Sequence, residues 1–318
     1  MKVLIGAKCH NLSQNGLLIY NEAKRQKKDV ELVRYDECGQ IVRRIGSAGF
    51  ANVIKQIETH KPDWVFLTGS RVFSTKQLKE IKNHTRIAIW CADGLNEKRK
   101  DIWLQLKGVP DLTITSTMCV AEYLEKNKIG EHNFFIPQYY DDEYYKFTQS
   151  RLDPAHTIYD VCFTGTADSR RVDWLRQIDK QYNLLVGGRI AGFSKDEILG
   201  SKMANIYRQS RIAINISWKI FSTDGGWNTS DRIFKAMGCG AFYLTYPIQK
   251  LDRYFVAGKH LGVYDPNTLE SMMDNIKYWL DHETEREQIA LAGQKVVLQQ
   301  HTLKARLPEL WRAMEGLE

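Results

Sequence analysis

The stretch of sequence best suited to chemistry is Ser230-Asp231-Arg232, followed by Lys235. Ser230 and Asp231 are favoured N-cap residues, so they predict the start of a helix. The first turn of a helix presents free backbone N–H groups that can bind an anion. Arg232 and Lys235 are three residues apart and share one face of that helix. Two cations so placed could bind a diphosphate. The alternative is a surface helix whose charges contact only water.

A second candidate anion site is the turn Gly165-Thr166, which follows an apolar run. Glycine at the end of a strand lets the backbone approach a ligand closely. Arg170 and Arg171 stand a few residues further on, where the side chain of one or the other could reach an anion. An ordinary strand-to-helix connection is the alternative, because every α/β unit needs one.

His10 and Asp93 are the candidate general bases. His10 follows the first predicted strand, and histidine titrates near neutral pH. Asp93 follows another apolar run and could take a proton from a hydroxyl group. A hydrogen-bonded loop histidine and an Asp-Gly turn are the alternatives. The loop around His10 is not G-x-G-x-x-G, so dinucleotide binding is not predicted.

Short apolar runs alternate with helix-like segments along both halves of the chain. This pattern predicts an α/β fold of two Rossmann-like halves with parallel sheets, whose sites lie at the carboxyl ends of the strands. The predicted strands are 3–6, 30–35, 64–68, 86–90, 112–115, 133–137, 159–163, 183–186, 211–216, 241–245 and 261–264. A tail of three helices, beginning at residue 268, is expected to end the chain.

Length and composition exclude several classes of protein. A chain of 318 residues is typical of two domains. No apolar run is long enough to cross a membrane, and the apolar start is too short for a signal peptide. Isolated cysteines in apolar segments are typical of reduced core residues, so a cytoplasmic protein is expected. The six cysteines form no C-x-x-C pair, so a zinc or redox site is not predicted.

The positive charge is concentrated in the first half of the chain. Residues 1–150 hold 23 basic and 18 acidic residues, a net charge of +5, whereas residues 151–318 carry +2. This excess indicates an anionic partner for the first half, with an ordinary solvated surface as the alternative.

The second half resembles the donor-binding domain of GT-B glycosyltransferases, and more narrowly the spore-maturation (CgeB-like) glycosyltransferase family. Residues 230–242 carry the most specific match, in the run SDRIFKAMGCGAF. The resemblance extends over about residues 158–305 and is thin in the first half.

The resemblance implies two Rossmann-like domains that face each other across a cleft, with a C-terminal helical tail. The implied boundaries are an acceptor domain 1–140, a linker 141–157, a nucleotide-sugar donor domain 158–300, and a last helix 301–318 that packs back on the first domain.

The resemblance also implies roles for individual residues. Arg232 matches the arginine that contacts phosphate, Gly165-Thr166 would face the diphosphate, and Gly188-Arg189 would lie near the base. No D-x-D triplet stands in the second-domain segments, so neither a metal nor another cofactor is expected.

One departure concerns the ribose. Related retaining enzymes carry a Glu-x7-Glu pair whose second glutamate meets the ribose hydroxyls. Lys235 stands at that position here and Trp227 stands eight residues earlier, so the pair is absent. Ribose recognition and the stereochemical outcome are therefore left open.

The function predicted is metal-independent transfer of a hexosyl or pentosyl group from a nucleotide-sugar, such as a UDP-sugar, to an acceptor hydroxyl. An inverting reaction would use Asp93 or His10 as the base. The identity of the acceptor is left open. It is either an anionic acceptor, such as a hydroxymethylated base in phage DNA, or a small molecule, polysaccharide or protein. A non-catalytic nucleotide-sugar-binding module is the alternative from a different class.

Overall fold

The computed structural model describes residues 1–7, 15–34, 47–69, 73–92, 94–95, 97–166, 168–193, 198–216, 230–248 and 250–317. The candidate bases His10 and Asp93 lie outside these residues. The chain divides into two compact units. The first unit is Met1–Gln138 together with Leu303–Glu318, and the second is Tyr139–Thr302.

The first unit is built on a six-stranded parallel sheet in the order β2-β1-β3-β4-β5-β6. Its strands are β1 (Lys2–Ala7), β2 (Asp29–Arg34), β3 (Trp64–Thr68), β4 (Arg86–Cys91), β5 (Leu112–Thr115) and β6 (His132–Phe135). Its helices are α1 (Asn15–Arg25), α2 (Ser47–His60), α3 (Thr75–Lys82), α4 (Glu97–Gln105), α5 (Met118–Asn127) and α11 (Leu303–Glu315).

The second unit is built on a five-stranded parallel sheet in the order β11-β10-β9-β7-β8. Its strands are β7 (Tyr159–Thr164), β8 (Leu184–Gly187), β9 (Ser210–Ile214), β10 (Phe242–Thr245) and β11 (Gly262–Val263). Its helices are α6 (Ser169–Asp179), α7 (Gly200–Arg208), α8 (Arg232–Gly238), α9 (Leu269–Asp281) and α10 (Glu283–Gln300).

The predicted α/β class, with two parallel sheets and C-terminal helices, is confirmed. The physical basis is visible in β3 and β7, whose central residues are buried. Parallel strands covered by helices on both faces read as continuous apolar runs, and such runs are what the sequence shows.

Helix α4 is the element that the sequence pattern did not predict. It begins with five charged residues, Glu97 to Asp101, so no apolar periodicity indicates a helix. Its position is set instead by Trp103, which is buried in the hydrophobic core of the first unit. Tertiary burial of Trp103 therefore contributes to this helix, and a local apolar period does not.

The final helix α11 packs on α1 within the first unit. Lys28 lies over the ring of Trp311, with its Nζ 5.8 Å from the ring centroid. Gln26 donates a hydrogen bond to the carbonyl oxygen of Lys304 at 3.1 Å. The chain thus returns to its first unit after completing the second.

The segment 141–157 belongs to the second unit, and Arg151 fastens it there. Its Nη1 donates to the carbonyl oxygens of Arg208 at 3.0 Å and of Ser210 at 2.5 Å. Its Nη2 forms an ion pair with Glu287 at 3.1 Å. Burial lowers the pKa of Arg151 to about 10, so the side chain stays charged at neutral pH.

Two further observations concern membrane-spanning helices and the cysteines. No helix in the described part of the chain is long and apolar enough to span a membrane. Of the six cysteines, Cys91, Cys119, Cys162 and Cys239 are described, and all four are buried.

Candidate functional site

The second sheet has a topological switch point between β7 and β9. From β7 the chain first adds β8 on one side and then β9 on the other side. Ligands of open α/β sheets bind at such a point, outside the carboxyl ends of the strands. The residues that follow these two strands are Gly165 and Asn215.

The turn after β7 approaches the turn after β8 very closely. The Gly165 N–H donates to the carbonyl oxygen of Gly187 at 2.9 Å. A Cβ on Gly188 would lie 2.0 Å from the carbonyl oxygen of Gly165, and φ of Gly188 is +120°. Both the space and the backbone conformation therefore require glycine at position 188.

Arg232 is brought to this turn from the start of α8. Its Nη1 donates to Oδ1 of Asn215 at 2.8 Å, and its guanidinium lies over the Phe163 ring, 4.9 Å from the centroid. A Cβ on Gly165 would lie 3.0 Å from Nη2 of Arg232. Arg232 is 9% exposed, and within the described ranges it has no ion pair with a carboxylate.

Asn215 orients this arginine, and the sequence analysis did not single it out. Its Nδ2 donates to Oγ1 of Thr245 at 3.0 Å, and its backbone carbonyl accepts from the Tyr264 hydroxyl at 2.8 Å. Both contacts come from neighbouring strand ends. Its sequence position could have indicated this role, because Asn215 is a polar residue directly after the apolar run of β9.

Arg171, the alternative to Arg170 in the sequence-based prediction, is a second buried arginine. Its Nε donates to the carbonyl oxygen of Ile216 at 2.9 Å, and its Nη1 donates to that of Thr166 at 2.8 Å. Burial, and then the positive charge of Arg232, lower the pKa of Arg171 to about 10. Two guanidinium groups therefore lie at one edge of the sheet.

Thr166, Arg170 and Arg189 are also predicted to bind the donor, and for each of them this stays a prediction. Thr166 and Arg189 are exposed. Arg170 donates from Nη2 to the carbonyl oxygen of Pro266 at 2.7 Å and lies 4.4 Å from the ring centroid of Trp174. These contacts hold Arg170 on the β11–α9 side of the sheet edge.

Lys235 forms an ion pair with Asp231, which precedes it by one turn. Its Nζ lies 2.5 Å from Oδ2 of Asp231 and 5.3 Å from the ring centroid of Tyr145. Burial opposes the charge of Lys235, but Asp231 and Tyr145 outweigh it and raise the pKa of Lys235. Its positive charge is thus already paired with a carboxylate, whereas Arg232 has no such ion pair within the described residues.

The start of α8 differs from the prediction by two residues. The helix begins at Arg232, and Asp231 has helical backbone angles without a side-chain cap. Ser230 supplies a contact instead, because its Oγ accepts a hydrogen bond from the Arg232 N–H at 3.3 Å.

Within the described ranges, no group of three or more His, Cys, Asp or Glu side chains is placed to hold a metal ion.

Comparison with protein families matches residues 170–312 to the family described as glycosyl transferase-like. This range contains Arg171, Asn215 and Arg232. A comparison with the curated proteins finds no match.

Three solved structures of glycosyltransferase folds are similar to this chain. HepE of Anabaena, in complex with UDP and glucose, has a TM-score of 0.69 at 12% identity, covering 99% of this chain and 100% of that one. Sucrose-phosphate synthase of Thermosynechococcus elongatus has a TM-score of 0.68 at 10% identity, covering 100% of both chains. An alpha-glucosyltransferase in complex with UDP-glucose and DNA has a TM-score of 0.62 at 9% identity, covering 98% of both.

These findings define the fold of the protein. The fold is that of the GT-B glycosyltransferases, and residues 170–312 are glycosyl transferase-like in sequence. Over this range the sequence match and the fold agree.

Proposed function

We propose that this protein transfers a sugar from a nucleotide-sugar donor to an acceptor hydroxyl, and that it needs no metal ion or other cofactor to do so. The observation that carries the proposal is the state of Arg232. This arginine is almost fully buried and oriented by Asn215, yet it has no carboxylate partner in the described part of the chain.

The chemistry of Arg232 suits a leaving diphosphate. A guanidinium binds phosphate oxygens through paired N–H groups. A guanidinium also stabilises the negative charge that develops on the leaving group. This effect is larger where water is excluded from the site. Glycine at position 165 keeps the neighbouring turn free of a side chain, which leaves room beside Nη2.

A UDP-sugar is the proposed donor. Two of the similar structures contain UDP together with glucose, or UDP-glucose. The narrower resemblance to the spore-maturation (CgeB-like) family is part of the same proposal, as is the placement of the acceptor on the first unit. Asp93 and His10 are the proposed alternatives for the base that takes the acceptor proton.

A donor panel tests the proposal. We expect calorimetry to detect binding of UDP-glucose or another UDP-sugar by the wild-type protein, with weaker binding of GDP- and ADP-sugars. Asp93→Asn or His10→Ala, whichever removes the base, should retain donor binding and lose most of the turnover. Binding without turnover by the wild-type protein would favour the non-catalytic module, and no binding of any nucleotide-sugar would refute both functions.

A nucleic-acid acceptor is the second candidate. Residues 1–150 carry a net charge of +5, and one similar structure holds DNA containing an abasic site. The proposed acceptor is a hydroxymethylated base, which must leave the base stack to reach an active site.

Salt dependence tests this acceptor. We expect the protein to bind duplex DNA at low salt, with an affinity that falls steeply as salt rises, because Lys and Arg contacts release counterions. Unmodified duplex of the same sequence is the control for base-specific transfer. No DNA binding at low salt would leave the small-molecule, polysaccharide and protein acceptors.

A further inference from the structure

Tyr243 is a fully buried residue in the middle of β10. Its hydroxyl has no hydrogen-bond partner within the part of the chain that the structure describes. Buried hydroxyl groups are nearly always paired, because an unpaired one has lost its hydrogen bonds to water. An orphaned hydroxyl beside a candidate site therefore needs an explanation.

The strand geometry places Tyr243 on the same face as the arginine site. Side chains alternate along a strand, and Phe242 and Leu244 point into the hydrophobic core that contains Trp279. Tyr243 and Thr245 therefore share the opposite face. Thr245 accepts the hydrogen bond from Asn215, and Asn215 in turn holds Arg232.

The charges around the Tyr243 hydroxyl come mainly from this site. Burial raises the pKa of Tyr243, the nearby guanidinium groups of Arg232 and Arg171 oppose the increase, and Asp231 and Tyr246 add to it. The phenol is therefore neutral and keeps its proton for donation. Guanidinium groups only donate hydrogen bonds, so the two arginines offer it no acceptor. Asp231 is already bound by Lys235 and Ser230.

Two members of the cluster, Arg232 and Tyr243, carry donor groups without an acceptor among the described residues. Arg232 has one nitrogen bound to Asn215, and Nη2 and Nε have no hydrogen bond to any described residue. Together with the Tyr243 hydroxyl, these groups would complement a ligand that is rich in acceptor oxygens. A phosphate group has this chemistry.

We infer that the Tyr243 hydroxyl donates a hydrogen bond to a phosphate oxygen of the donor that Arg232 binds, so that Tyr243 is a donor-binding residue. This inference rests on the proposed function and extends it by one residue. Because the hydroxyl is covered by protein, the inference requires that a local rearrangement brings the hydroxyl and the phosphate together. The contact then forms in a dry environment, where a hydrogen bond to a charged group is strong.

The test is Tyr243→Phe, which removes only the hydroxyl. We expect calorimetry to show roughly tenfold weaker binding of both UDP and inorganic pyrophosphate, because a hydrogen bond to a charged group is lost. Binding of uridine, which carries no phosphate, should be unchanged. The melting temperature of the ligand-free protein should rise by a few degrees, because an unpaired buried group has been removed.

Two control variants make the result specific. Tyr182→Phe alters a tyrosine just before β8, at the opposite edge of the sheet, and should leave UDP affinity unchanged. Tyr207→Phe removes a buried hydroxyl that is hydrogen-bonded to Thr164, and should lower the melting temperature. Tyr243→Phe should raise the melting temperature, whereas Tyr207→Phe should lower it. This difference would show that the hydroxyl of Tyr243 is unpaired and that of Tyr207 is paired.

Each outcome decides the inference. Unchanged affinity of Tyr243→Phe for UDP and pyrophosphate would overturn it, with an ordered water as the partner of the hydroxyl, while the proposed function would stand. Weaker binding together with a lower melting temperature would also overturn it, because the hydroxyl would then be structural. If the wild-type protein bound neither UDP nor pyrophosphate, the proposed donor site itself would be wrong.

Discussion

Arg232→Ala is expected to reduce kcat/KM for the nucleotide-sugar donor by about 100- to 1,000-fold, the usual cost of removing one preorganised group that stabilises a developing negative charge. The physical reason is that Arg232 is oriented by Asn215 and stacked on Phe163 before any ligand arrives. Steady-state kinetics with the preferred UDP-sugar would measure the effect, and calorimetry with UDP would show the loss of ground-state binding.

Two variants control this prediction. Arg211→Ala removes an arginine from the amino edge of the same sheet, where Arg211 pairs with Asp160 at 2.8 Å, and should leave kcat/KM unchanged. Arg232→Lys keeps the charge but loses the planar pair of N–H groups, and should fall between the wild-type protein and Arg232→Ala. Full activity of Arg232→Ala with every nucleotide-sugar would remove Arg232 from the site.

Gly188→Ala is expected to destabilise the second unit by at least about 3 kcal/mol. The added Cβ would lie 2.0 Å from the carbonyl oxygen of Gly165, and this oxygen belongs to the backbone and has no flexible side chain to move aside. Urea unfolding followed by tryptophan fluorescence would measure the change in the free energy of unfolding. UDP binding should be lost as well, because the turn beside Arg232 must shift.

Gly258→Ala is the matched control. Gly258 also has a positive φ, of +74°, but a Cβ there would meet nothing within 4 Å. Its cost should therefore be the backbone strain alone, about 1–2 kcal/mol. Equal losses in the two variants would show that the contact between the turns after β7 and β8 contributes nothing beyond strain.

The strand and helix pattern was predictable because local sequence carries it. The run Trp64–Thr68 is predicted as a strand and is observed as β3 with the same bounds. Helix α4 shows where this reasoning fails, since its charged first half has no apolar period and Trp103 in its second half is buried in the core. A contact between residues distant in the chain leaves no periodic signal.

The site was predictable in part. Arg232 and the Gly165 turn were identified from the sequence, and the structure brings them together at the switch point of the second sheet. Lys235 was expected to add a second phosphate-binding charge, and its pairing with Asp231 depends on side-chain conformations that a sequence does not specify. Whether Lys235 contributes to donor binding stays a prediction.

Sequence alone determined the α/β class, the alternation of elements and the chemical character of Arg232, because apolar periodicity and side-chain chemistry are local properties. Tertiary structure decided which polar groups share the site. Asn215 and Arg171 come from different segments of the chain and lie near Arg232 because parallel strands bring their carboxyl ends to one edge of the sheet. The charge balance of each arginine and lysine follows from that packing, since burial and neighbouring charges are set by the fold.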